Sequence, residues 1–83
     1  MDRILVEIFI PAINRSFDFD LPAQARTGEV AAEVVRILQT TRKHIAFDPA
    51  SAVLCDLERN RVIPPEAFLS DAGIRDSHRL MLL

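Results

Sequence analysis

TGEVAAEVVRILQTTRK, Thr27 to Lys43, carries the one helical period in the chain. Its apolar residues Val30, Ala31, Val34, Ile37 and Leu38 recur at helical spacing, and at about 100° per residue they fall on one side of the cylinder. Glu29, Glu33, Arg36, Gln39 and Lys43 project from the other side. The spacing predicts a surface helix with one buried stripe. Its ends agree: Thr27 is an N-cap residue type, Glu29 and Glu33 lie near the positive end of the macrodipole, and Arg42, Lys43 and His44 lie near the negative end. Asp48-Pro49 bars any continuation. The rest of the chain reads as strand or turn, so one helix has to find one sheet.

Working outward toward the N-terminus, Ser16 to Leu21 alternates cleanly, with Phe17, Phe19 and Leu21 inward and Ser16, Asp18 and Asp20 outward. Arg3 to Ile10 is a strand by its β-branched content, with Ile4, Val6, Ile8 and Ile10 on one face and Arg3, Leu5, Glu7 and Phe9 on the other. Pro11 to Arg15 supplies turn chemistry, so the two strands make a hairpin. After the helix, Val53 to Leu57 is a third strand whose apolar content fits either parity. Val62-Ile63 is a brief edge strand that Pro64-Pro65 must end, because neither proline can donate to a ladder. Phe68 to Ile74 is a tight turn or short 3-10 element with Gly73 available for a positive φ, and Arg79 to Leu83 closes as a final strand.

Eighty-three residues make one domain, 1–83, and a chain this short buries only about 60 to 65% of its unfolded surface. There is no room for a deep cleft. A net charge of -2 with interspersed signs, and no Trp or Tyr, leaves neither a basic stripe nor the usual base-stacking platforms, so nucleic acid is not expected as a partner. No segment approaches the roughly 20 apolar residues of a membrane span. The single cysteine, Cys55, can form neither an internal disulfide nor a metal site unaided, which fits a reducing compartment. The expectation is a soluble, cytoplasmic protein.

The order strand, strand, helix, strand, short strand, strand, with the last strand beside the first, gives an α+β fold of the β-grasp type. In it a mixed four- to five-stranded sheet packs on one central helix. A split ferredoxin-like unit would need a second helix where Pro64-Pro65 sits. The segment LSDAGIRDSHRLMLL, Leu69 to Leu83, is similar to the closing segment of ubiquitin-like proteins. With ILVEIFIPA in the first strand and VLCDLE in the third, the chain resembles, nearly end to end, the ubiquitin-like YukD family of bacterial type VII (WXG100) secretion systems. That resemblance implies a role in secretion or its regulation, with the secretion ATPase or another component of the machinery as partner.

Conjugated modifiers and sulfur carriers of this fold end in a flexible Gly-Gly tail, whereas the sequence reads Leu80-Met81-Leu82-Leu83 inside the last strand and holds one lysine, Lys43. Neither conjugation nor sulfur carriage is expected from it. Cys55 reads as a small core hydrophobe facing the helix together with Leu57. His44 and His78 read as solvated residues at a helix end and in a turn, with no ligand spacing around either. With only Gly28 and Gly73 there is no phosphate-binding loop, and the carboxylates show no cleft-forming context. Neither a catalytic set nor a cofactor is called for.

What remains is surface. If Ile4, Val6, Ile8, Cys55, Leu57, Leu80 and Leu82 point to the helix, alternation places Leu5, Glu7, Phe9, Leu54, Asp56, Met81 and Leu83 on the opposite sheet face. Leu5, Phe9, Leu54, Asp56, Met81 and Leu83 are the expected protein-binding residues, since contiguous apolar area commonly marks a binding face. A second copy of the chain is an alternative occupant, giving a homodimer. Ubiquitin uses the corresponding face, and the likeness places Asp56 at its key isoleucine position, which implies that ubiquitin-binding domains pass this chain by. Two other functions fit the same elements: an accessory subunit of a multicomponent aromatic monooxygenase, and a conjugated modifier cut from a longer precursor.

Overall fold

The computed structural model describes residues 2–41 and 47–83. Strand β1 (Arg3–Ile10) buries Ile4, Val6, Ile8 and Ile10 and turns the intervening residues away, as its alternation demands. Strand β2 (Arg15–Pro22) returns antiparallel, with Val6 opposite Phe19 and Ile8 opposite Phe17. A 3-10 turn, Pro11–Ile13, joins them, and Asn14 closes it at φ 53, a left-handed conformation that asparagine tolerates. Helix α1 (Thr27–Thr41), strands β3 (Leu54–Asp56) and β4 (Arg61–Val62), and strand β5 (His78–Leu82) complete the chain. The sheet order is β2-β1-β5-β3-β4, with β1 and β5 parallel and the other pairs antiparallel. This is the expected β-grasp, five strands against one helix.

The buried stripe of α1 is Thr27, Val30, Ala31, Val34, Val35 and Leu38. Val35 belongs to it, whereas Ile37, expected inside, is 45% exposed. Ile37 instead shares a surface depression with Phe17 and Phe19 of the edge strand β2. The expected end of the helix at Lys43, and His44, lie outside the described residues. Each large aliphatic side chain sealed in this core contributes about 1.5 to 3 kcal/mol relative to exposure.

Thr27 does not cap the helix as expected. Its hydroxyl donates to the Ala67 carbonyl at 3.0 Å and the residue is buried. The first helical amides, which have no partner within a helix, are satisfied across the chain: Thr27 N–H donates to Ala67 O and Gly28 N–H to Pro65 O, at 2.9 and 2.8 Å. Pro64-Pro65 therefore ends β4 and also holds the start of α1. Gly28 permits that approach, since a Cβ there would stand 3.0 Å from the Pro65 carbonyl oxygen.

The expected parity of β3 is reversed. Leu54 pairs with Leu82, Cys55 with Met81 and Asp56 with Leu80. Paired residues share a face, so Leu54 and Asp56 point to the helix side, and both are fully buried. Cys55 is on the outer face, and Leu57 is exposed. His78, expected in a solvated turn, is instead the first residue of β5 and is buried. Ile63 continues past β4 into the core, with its N–H donating to Leu54 O at 2.9 Å.

Candidate functional site

The outer face of the sheet carries an apolar row that crosses four strands. Phe9 on β1 pairs with Met81 on β5, Met81 with Cys55 on β3, and Cys55 with Val62 on β4. Leu83 extends the row along the sheet, where it exchanges backbone hydrogen bonds of 2.9 Å with Val53 in both directions. Val62 is 59% exposed and Leu83 is also exposed, whereas Cys55, at 8%, is sunk between Met81 and Val62. Its burial raises the thiol pKa above the ordinary value, so the sulfur is present as a thiol and acts as a small hydrophobe.

Of the residues expected here, Phe9, Met81 and Leu83 lie together in this row, and Leu5 stands on the same face further along β1. Leu54 and Asp56 are not on the surface at all. Reading the sequence alone missed Val62 and Val53. The short β4 offers only two residues, so alternation had nothing to act on, and Val53 changed sides with the rest of β3. A charged border lies one step along the strands, where Glu7 pairs with both Asp18 and Arg79.

Beneath the other face is a polar centre. Asp56 Oδ1 accepts from His78 Nε2 at 2.7 Å, from the Glu58 N–H at 2.9 Å and from the Arg59 N–H at 3.3 Å. Burial alone would raise the Asp56 carboxyl, but the His78 hydrogen bond, the Glu58 N–H, the nearby imidazole charge and the Arg59 N–H together hold it below its ordinary value. The carboxylate is acceptor-only, so Nε2 of the imidazole bears a proton. Oδ2 has no hydrogen-bond partner among the described residues, and two guanidinium groups, of Arg59 and Arg61, stand 3.9 Å from it. Both arginines spend a donor on the Ala72 carbonyl, at 2.9 and 2.6 Å.

This centre fastens the loop after β3 to the start of β5, with both Asp56 and His78 buried. Cys55, the nearest nucleophile by sequence, faces the opposite side of the sheet. Among the described residues no group of three His, Cys, Asp or Glu is arranged to hold a metal ion, and no helix is long and apolar enough to cross a membrane. The arrangement offers an apolar contact surface on a fold locked from behind.

The model of the family described as "WXG100 protein secretion system (Wss), protein YukD" matches residues 4–82. No curated protein sequence matches the chain. Among solved structures, the ubiquitin-like domain of the Mycobacterium tuberculosis type VII secretion system protein EccD1 is similar at TM-score 0.73 and 21% identity, over 100% of this chain and 99% of that one. The EccD5 ubiquitin-like domain from Mycobacterium xenopi is similar at TM-score 0.76 and 17% identity, over 100% and 94%. A chain of the toluene 4-monooxygenase HD complex superposes at TM-score 0.80 with 10% identity, over 98% and 96%. At these identities the structural likenesses establish the fold.

Proposed function

The chain belongs to the YukD family of the WXG100 protein secretion system, and from that premise we propose that it is a non-catalytic, non-conjugated accessory or regulatory protein of the system, acting in the cytoplasm through protein contacts. The observation that carries this reading is the row of Phe9, Met81, Cys55 and Val62, contiguous by strand pairing across the outer face. An apolar strip of this kind, bordered by Glu7 and Arg79, has the composition of an interface: an apolar centre with charges at the rim. The partner is a folded component of the secretion machinery, the membrane ATPase being the first to test.

Affinity capture of the tagged protein from its native cells, compared with a Phe9→Ser, Met81→Ser double variant, tests the proposal. Recovery of secretion components with the natural sequence alone supports it. Recovery of a diiron hydroxylase would move the chain to the monooxygenase accessory class, and covalent adducts would make it a modifier. Equal recovery with both baits would remove the outer face from the interaction.

A further inference from the structure

We propose that the open edge of β2, with the apolar groove between it and α1, receives an extended segment of a partner protein as an added strand, apolar at alternate positions and flanked by lysine or arginine. This surface is separate from the outer face, and neither reading depends on the other.

The backbone supplies the first argument. Leu5 N–H donates to Asp76 Oδ1 at 2.7 Å and Leu5 O accepts from Ser77 N–H at 2.6 Å, so the peptide groups of Leu5 turn toward the β5 side. By alternation Ile4, Val6 and Ile8 turn theirs toward β2 and bond with Leu21, Phe19 and Phe17. The Ala23 N–H to Asp2 O bond of 2.9 Å keeps the same phase. Ser16, Asp18 and Asp20 therefore point their amides and carbonyls out of the sheet, where β2 is the terminal strand among the described residues. Arg3 Nη2 occupies the Asp20 carbonyl at 3.0 Å. The donors and acceptors of Ser16 and Asp18 are left facing outward on an eight-residue strand, a template for strand addition.

The side chains supply the second. Phe17, Phe19 and Leu21 point to the helix side yet stay partly exposed on the edge strand. Ile37 stands exposed on the opposite wall, and two adjoining depressions share it and Phe19. A strand added beside β2 would drop every second side chain into this groove.

Charge selects the occupant. Asp18 borders the groove at the strand, and Glu29 and Glu33 on the helix, where Arg36 is held by Glu33 at 3.4 Å. Asp18 and Glu29 thus meet whatever arrives, with Arg15 the cation at the hairpin end of β2. A basic segment is complementary. A second copy pairing β2 to β2 would bring Asp18 and Asp20 of each chain against those of the other, like charges that oppose pairing.

The test is selection of a displayed library of random peptides on the folded chain, followed by affinity measurement and amide-shift mapping of an enriched peptide. Enriched sequences should alternate apolar residues with flanking Lys or Arg and shift the amides of Ser16 to Asp20. Ile37→Glu should weaken binding about tenfold or more. Asp18→Pro removes an amide outside the ladder, so the fold should persist while binding is lost. Met81→Ser, on the outer face, should bind as the natural chain does. No saturable peptide, binding indifferent to Ile37→Glu and Asp18→Pro, or dimerisation through β2 would each overturn the proposal.

Discussion

His78 Nε2 and Asp56 Oδ1 are 2.7 Å apart, a buried hydrogen bond that ties β5 to the end of β3 from the helix side of the sheet. Asp56 is fully buried and His78 is 8% exposed. Removing the imidazole would strand a desolvated carboxylate, so His78→Leu should cost about 3 to 5 kcal/mol. The double change Asp56→Leu, His78→Leu should lose less than the sum of the two single changes, by about 0.5 to 3 kcal/mol. Urea midpoints of the four chains measure this. Strict additivity would mean that the two side chains do not act as a unit.

The same carboxylate makes stability depend on acidity. Asp56 binds its proton more weakly folded than unfolded, since its native pKa lies below the ordinary 3.8. Its contribution is therefore complete above that value and is lost as pH falls through the lower native one. Acid titration of the natural chain against Asp56→Asn should show a shallower acid limb in the variant. Parallel limbs would assign acid sensitivity to other groups.

Adjacent helix residues should behave oppositely. Leu38 lies in the core, and Leu38→Ala should cost about 2 to 5 kcal/mol. Ile37, 45% exposed over β2, should tolerate Ile37→Ala within about 0.5 kcal/mol. Thermal or urea unfolding of both variants decides it, and a reversal would mean that the helix is rotated by one position.

Gly73 sits at φ 79 with the Arg59 guanidinium packed where a Cβ would stand. Gly73→Ala should cost about 1 to 2 kcal/mol from the backbone alone. It should also displace Arg59 from the Ala72 carbonyl, which it meets at 2.9 Å. In an Arg59→Ala background the second part of the cost should vanish, which a double-mutant cycle reads directly.

The architecture is legible in the chain. The β-branched run of Arg3 to Ile10, the clean alternation of Ser16 to Leu21, the helical period after Thr27 and the prolines at 64 and 65 together point to a β-grasp with four or five strands on one helix. Local chemistry suffices there, because every residue's preference is set by near neighbours. Three matters were decided only in the tertiary structure. The parity of β3 depends on which register pairs with β5, since Val53 to Leu57 is apolar on both faces. Pairing Leu54 with Leu82 brings Asp56 inward. The burial of Asp56 and His78 required partners 22 residues apart to meet, so that the desolvation of each is offset by the other. The exposure of Ile37 is decided beside the edge strand β2, where it shares a surface depression with Phe17 and Phe19. A side chain's periodicity gives its direction, but only the packed neighbours determine whether anything lies there to cover it.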